Sequence, residues 1–361
     1  MYTKDLPFSA ILKERKSLCG LNSTKETLHI VLDLKGEELS YKTGDSVAVI
    51  PVNDPRLVEK TLKAAGLTGE EKVIDKRSEI TYPLKEAFRS RKSLTGFSKK
   101  FMSEVLAKAG AHQDDLKALM GEYEVWDLLE AYPEAKFSAQ ELYDLLMPLL
   151  PRFYSIASSE LAYPNEIHLT VAYLKYETKD KERVGVCTHF LSILAPVGSE
   201  IPLYIQPSHG FTLTHEDQLP IIMIGPGTGV APFRAFMQER EKKQATGKNW
   251  LFFGERTAAS EYFYQEDWKR WEEKGLLKVT TAFSRDQEHK IYVQHRLQEN
   301  AKEIASWIKE GAIIYVCGDK NHMAKDVEST LLEIIKDHLS NDPEAFLKEL
   351  KAHGRYLKDV Y

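Results

Sequence analysis

The chain has 361 residues, 43% hydrophobic and 29% charged, a globular composition with room for two or three domains and a full core. Its 49 Lys and Arg stand against 54 Asp and Glu, a formal charge of -5, and so mild an acidic balance argues against nucleic acid as the main partner. Three scattered cysteines (Cys19, Cys187, Cys317) fit neither a disulfide framework nor a zinc cluster, and no run reaches the ~18 apolar residues of a membrane span, so a cytoplasmic protein without a metal is expected.

Residues 26–34 (ETLHIVLDL) and 45–52 (DSVAVIPV) are apolar and β-branched, with turn signals at Lys35-Gly36 and Gly44-Asp45, and read as strands. The texture then changes. Segments 58–66, 99–110, 114–133 and 138–150 carry apolar residues at i, i+3 and i+4, which predicts helices. Strands return at 152–158 (RFYSIAS), 167–176 (IHLTVAYLKY) and 201–207 (IPLYIQP). A helical block between two β blocks points to a barrel whose connection has been expanded. From about residue 216, apolar runs of strand length (220–225, 249–255, 277–284, 312–319) alternate with helical stretches, the signature of a doubly wound parallel sheet. The expected class is therefore α+β followed by α/β. An antiparallel β-barrel domain is expected over 1–215, with a helical insertion at about 53–148, and a parallel-sheet domain over 216–361.

Two local patterns carry chemistry. The apolar strand ending at Ile224 runs into Gly225-Pro226-Gly227-Thr228-Gly229 and then a helix near Pro232. Glycines let a backbone approach a phosphate closely, and a helix N-terminus favours an anion. No Lys-Ser/Thr pair follows, so this is no nucleotide-hydrolysing loop. After the strand LKVTTAF come Ser284 and Arg285, then Lys290, Ile291, Tyr292, Val293 and Gln294. Two cations beside a hydroxyl and an aromatic ring suit an adenosine 2′-phosphate with its adenine on Tyr292. An acidic residue here would have pointed to NADH instead.

Taken together, RFYSIASS (152–159), HLTVAYLKY, GVCTHFL, IGPGTGVAPFRAFMQER, NWLFFGER, AFSRDQEHKIYVQHRL, IYVCGDKNHMAKDV and the terminal RYLKDVY resemble, in order, the FAD- and NADPH-binding half of the diflavin reductases. Within that family the ending in Tyr is most similar to the sulfite-reductase flavoprotein branch. The resemblance implies a ferredoxin-NADP reductase-like fold, FAD and NADPH as cofactors, and an NADPH-dependent flavoprotein reductase activity. It implies that Arg152, Phe153, Tyr154 and Ser155 form the flavin motif, with Arg152 on the FAD diphosphate and Ser155 beside the flavin's hydride-accepting nitrogen. Thr170, Val171, Ala172 and Tyr176 are implied to support FAD, Tyr176 near the adenine. Gly185, Val186, Cys187 and Thr188 match the diphosphate turn, with Val186 and Cys187 bulkier than is common in the family. Thr95 matches a flavin-contacting threonine, Gly227 and Thr228 the NADPH diphosphate turn, and Asp326 a residue on the adenosine side. Cys317, Asp359 and Ser155 are implied to surround the nicotinamide. The terminal Tyr361 is implied to cover the flavin face and to act as a gate.

A full diflavin reductase carries an FMN domain ahead of this segment, and 361 residues leave no space for one beside the two expected domains. Electrons are therefore expected to leave to a separate FMN-containing flavodoxin-like carrier, a ferredoxin or a sulfite reductase haemoprotein. A stand-alone ferredoxin- or flavodoxin-NADP reductase is the alternative among enzymes, and a redox-inactive nucleotide-binding scaffold the alternative outside them. Residues 89–100 hold five basic and no acidic residues, and are expected to form part of a docking face for an acidic carrier.

Overall fold

A computed structural model of the chain describes residues 2–36, 39–111 and 120–361. They form two compact units: one gathers residues up to 48, 153–172 and 197–361, the other 49–152 and 173–196. Part of the helix expected at 114–133 lies outside the described residues.

The chain enters through strands β1 (Phe8–Ser17), β2 (Thr27–Asp33) and β3 (Ser46–Val49). The second unit follows, with helices Pro55–Ala65, Leu84–Ser90, Lys99–Ala109, Val125–Ala131 and Ala139–Leu145 and a hairpin of β4 (Lys72–Asp75) and β5 (Ile80–Pro83). The helix starts are written locally. Asp54 accepts from the Arg56 N–H, Ser98 from Phe101, and Ser138 with Glu141 makes a capping box. Their apolar faces meet in one core around Leu62, Phe88, Phe101, Val105, Leu128 and Leu142. The hairpin is absent from the periodicity reading, because four-residue strands flanked by charged residues carry too little alternation to register.

The chain then forms β6 (Arg152–Ser155) and β7 (Glu166–Ala172), the hairpin β8 (Lys175–Thr178) and β9 (Lys181–Val184) within the second unit, and β10 (Glu200–Gln206). The resulting six-stranded sheet has the order β6-β3-β10-β1-β2-β7. Just past β6, Ile156 pairs with Leu169 of β7. That bridge joins the two edge strands and closes the sheet into the expected antiparallel barrel, leaving no free edge there.

Strands β11 (Ile221–Ile224), β12 (Asn249–Glu255), β13 (Lys278–Phe283), β14 (Ile313–Gly318) and β15 (Tyr356–Val360) are all parallel, in the order β13-β12-β11-β14-β15. Alternate residues fill two cores: Ile222, Ile224, Trp250, Phe252, Ile314 and Val316 on one face, Ile221, Met223, Leu251, Phe253, Tyr315 and Cys317 on the other. The chain builds β11, β12 and β13 outward in one direction and then crosses back to β14 and β15. The topological switch point therefore lies between β11 and β14, where open α/β sheets bind ligands. The helical stretch after β12 is broken into Ala258–Glu261 and Gln265–Glu273 by Tyr264, whose φ is 57°. Among the described residues, no helix is long and apolar enough to cross a membrane.

Candidate active site

The Gly-rich turn leaves β11 at the switch point as a short 3-10 turn, Gly227–Val230, that opens the helix Ala231–Lys243. Two of its glycines are sterically required. A Cβ on Gly225 would stand 2.5 Å from Gly229 O, and one on Gly229 would stand 2.1 Å from Cys317 O. The turn is thereby pressed against the end of β14. Gly227, at φ 58°, would meet nothing within 4 Å, so that side of the turn is open to a ligand.

Three residues distant in sequence meet beside this turn. Parallel pairing sets Cys317 opposite Asp359 at the ends of β14 and β15. The Ser155 hydroxyl donates to Asp359 Oδ2 at 2.7 Å, and Cys317 Sγ lies 3.9 Å from the same oxygen. Burial, and next the Asp359 carboxylate, push the Cys317 thiol well above its ordinary value, so at neutral pH it is an uncharged thiol. Tyr361 follows immediately, its phenol oxygen 2.9 Å from Thr228 Oγ1.

The residues after β13 line up at the same carboxyl end of the sheet. Ser284 and Arg285 extend the pairing with β12 through N–H bonds to Glu255 O (2.9 Å) and Arg256 O (2.8 Å). The Arg285 and Lys290 side chains are exposed. Tyr292 is 42% exposed and stacks on His295, ring centroids 5.9 Å apart. Gln294 Nε2 donates to Asp326 Oδ2 at 3.0 Å, which joins the 290–294 run to the helix Met323–His338. Ile291 is half-buried against the core and Val293 is fully buried, so both side chains face inward.

In the second unit, Thr95 lines two cavities. One, of about 170 Å³, brings it together with Tyr176, Phe97, Tyr123 and Met147. The other, of about 240 Å³, brings it together with Val186, Lys60, Trp126, Arg183 and His189. The turn at 185–188 is knitted to itself: Gly185 N–H donates to Leu174 O at 2.9 Å, and the Thr188 hydroxyl donates to Gly185 O at 3.0 Å. Cys187 is buried, so its extra bulk points into the unit. Arg183 is clamped by Glu124 (2.9 Å) and Asp127 (2.5 Å) beneath the Trp126 ring. The larger hollow is lined by cations and carboxylates together, Arg56, Lys60 and Arg183 with Asp54, Glu124 and Glu182, beside the Trp126 ring.

A family model for FAD-binding domains matches residues 2–98 and 89–190, more than half of the chain. The chain belongs to the FAD-binding domain family. A second family model, for oxidoreductase NAD-binding domains, matches residues 223–329. The similar curated proteins include the sulfite reductase [NADPH] flavoprotein alpha-components of Bacillus subtilis (41% identical), Aliivibrio fischeri (39%) and Escherichia coli (40%). Each match covers the whole chain and 61–62% of the relative, so the chain spans about three fifths of the length of these proteins.

The remaining residues that the resemblance assigns to FAD lie on β6 and β7. Arg152 is exposed at the start of β6, and Phe153 is 54% exposed with its ring edge-on to Tyr204 at 6.5 Å. Tyr154 is half-buried. On β7, Val171 is buried, Ala172 is exposed, and the Thr170 hydroxyl lies 2.7 Å from Tyr264 OH instead of in the open. The expected basic docking face is smaller than its sequence. Arg91, Lys99 and Lys100 are exposed, but Lys92 is half-buried over the Tyr143 ring with its ammonium on Leu146 O.

Sequence reasoning missed a buried network behind the site. Arg234, on the helix that the Gly-rich turn opens, reaches Asp267 (2.7 Å), Ala157 O (3.0 Å) and His168 Nδ1 (3.1 Å), and lies over the Tyr264 ring. His168 in turn bonds Glu166 at 2.9 Å, and His29 Nδ1 lies 3.1 Å from Tyr264 OH. The network pins that helix to barrel strands β2 and β7. Its sequence signal was present, since His29 and His168 each interrupt an otherwise apolar strand.

Proposed function

We propose that the protein is an NADPH-dependent FAD reductase that delivers electrons to a separate acceptor. The observation that carries the reading is the Ser155–Asp359–Cys317 cluster beside the glycine turn at the switch point. Bound there, the two cofactors would supply hydride transfer from the nicotinamide to the flavin and its division into single electrons. The protein's part is to hold and polarise. Asp359 orients the Ser155 hydroxyl and brings negative charge, which favours a nicotinamide ring that becomes cationic as it gives up hydride. Cys317, neutral by burial, adds a polar surface without a competing charge. Gly227 and Thr228 would hold the nucleotide diphosphate, and Ser284, Arg285, Lys290, Tyr292 and Gln294, with Asp326, the adenosine 2′-phosphate end.

For FAD, Arg152, Phe153, Tyr154 and Ser155 would serve the flavin and its phosphates. Thr95, Tyr176 and residues 185–188 would serve the adenosine diphosphate, and Thr170, Val171 and Ala172 would shape the strand behind. We read residues 1–215, with the insertion at about 53–148, as the FAD portion and 216–361 as the NADPH portion. The names of the relatives support a sulfite reductase-like role, and we read the protein as cytoplasmic. The acceptor would be a haemoprotein reached directly or through an FMN-containing flavodoxin-like carrier or a ferredoxin.

Purified protein incubated with FAD and freed of excess should be yellow, and NADPH under argon should bleach it much faster than NADH. Protein that retains no flavin, or flavin that NADPH leaves oxidised, overturns the proposal.

A further inference from the structure

Residues 155–159 lead out of the flavin motif and are bonded along their length. On the barrel side, Ile156 N–H donates to Asp45 O at 3.1 Å and Ala157 N–H to His168 O at 2.8 Å, and the Ser158 hydroxyl accepts from His168 N–H at 3.0 Å. On the other side the segment meets the helix Ala231–Lys243. Arg234 donates to Ala157 O at 3.0 Å, Gln238 Oε1 accepts from Ser159 N–H at 2.9 Å, and the Ser159 hydroxyl donates to Glu239. Arg234 and Gln238 stand one helical turn apart on one face, both buried, as are Ser158 and Ser159. At its start the same segment bonds Asp359 through the Ser155 hydroxyl. The contacts therefore close a ring. Asp359 lies opposite Cys317 in the β14–β15 ladder, and Gly229 is pressed on Cys317 O. The helix that starts just after Gly229 carries Arg234 and Gln238, and these lead back to 157–159 and so to Ser155.

We propose that Arg234 and Gln238 are positioning residues for hydride transfer: by holding residues 157–159 on the helix that the glycine turn opens, they fix where Ser155 stands relative to that turn. The inference rests on the reading of Ser155 and the turn as the flavin and dinucleotide sides of one site. Neither side chain has to touch a cofactor. With the ring closed, Ser155 is held from both ends, by Asp359 and by the helix. Opened at Gln238, the ring leaves the buried Ser159 N–H without its acceptor, and the segment shifts to find another. Ser155 moves with it, while the barrel bonds of Ile156 and Ala157 keep the fold. Transfer between two rings is steep in their placement, since a misplacement of about 1 Å costs roughly a hundredfold in rate. Binding, spread over many contacts along the dinucleotide, is far less sensitive.

The test compares Gln238→Met, which keeps the length of the side chain and lacks the acceptor, with Gln238→Glu, which keeps an acceptor in the same place. Both leave Arg234 untouched. In anaerobic stopped flow, Gln238→Met should slow reduction by NADPH roughly tenfold or more, the range set by a sub-ångström displacement. Its Kd for NADP+ and its retention of FAD should stay within about threefold of wild type, and Gln238→Glu should restore the rate to within about threefold. In protein without cofactors, amide hydrogen exchange over 155–159 should quicken in Gln238→Met and return toward wild type in Gln238→Glu. An unchanged rate or unchanged exchange in Gln238→Met overturns the positioning role. So does an equal loss of rate in both variants, or a rise in the Kd for NADP+ that matches the loss of rate. Wild-type protein that NADPH does not reduce overturns the reading of the site itself, and the positioning role with it.

Discussion

The buried histidine that anchors the nucleotide-binding helix makes acid sensitivity a sharp test of the structure. His168 is 3% exposed on β7. Its Nδ1 accepts from Arg234 Nη1 at 3.1 Å, so its proton sits on Nε2, toward Glu166 Oε2 at 2.9 Å. His29 stands edge-on at 4.9 Å, Tyr264 OH lies beyond it, and Asp267 pairs with the far side of Arg234. Burial first, with the Arg234 charge adding and Glu166 opposing, lowers His168 from 6.5 to about 4. The folded value lies below the unfolded one, so the unfolded chain binds the extra proton. Stability is full above pH 6.5 and falls as pH drops from 6.5 toward 4. At 1.36 kcal/mol per unit, a pKa near 4 makes the loss at pH 4 about 3 kcal/mol from this one ring. His168→Gln keeps an acceptor for Arg234 and a donor for Glu166 but does not titrate. It should cost about 1 kcal/mol at pH 7.5 and lose about 3 kcal/mol less than wild type on acidification to pH 4. Folded His29, lowered to about 2 mainly by burial, stays neutral across this range in both proteins. Urea unfolding followed by tryptophan fluorescence across this range measures the two curves. Parallel curves would refute the neutral, buried ring and the arginine contact that depends on it.

Two predictions concern the chemistry. Asp359→Asn and Ser155→Ala each remove a charge-assisted bond of 2.7 Å. Such bonds are worth about 1.5–3 kcal/mol, so anaerobic stopped-flow reduction by NADPH should slow roughly 10- to 150-fold while NADP+ affinity changes by less than about threefold. A large loss of affinity with an unchanged reduction rate would show that the pair only shapes the pocket. Arg285→Ala and Lys290→Ala should each raise the Kd for NADPH about tenfold or more and leave that for NADH unaltered, the worth of one charge-assisted phosphate contact. Equal losses for both nucleotides would place these cations elsewhere than on the 2′-phosphate.

What was legible from the residues follows how far apart the partners lie along the chain. The glycine turn is written in five consecutive residues, and the structure adds only why Gly225 and Gly229 are obligatory: their absent side chains let the turn rest on Gly229 O and on the end of β14. The strands of the parallel sheet announce themselves because both faces are covered and every position is apolar. The Ser155–Asp359 pair spans 204 residues. No spacing rule could join them, because the pairing exists only once β15 lies beside β14, and β15 itself reads as a polar tail until its neighbour supplies the ladder. The convergence of Thr95, Tyr176 and Val186 has the same cause, tertiary closure around two cavities. Arg234 shows the opposite limit. Nothing in APFRAFMQER distinguishes a buried arginine from an exposed one, since a 3.6-residue period buries residues on all sides of a helix covered all round. The residues that could have exposed it were its partners, the histidines set in apolar strands. A buried polar group must find a partner, and for His168 that partner is the guanidinium of the helix that carries the nucleotide turn. The polar exceptions in the barrel strands, more than any feature of the helix, are therefore the sequence trace of how the barrel and the nucleotide-binding sheet are tied together.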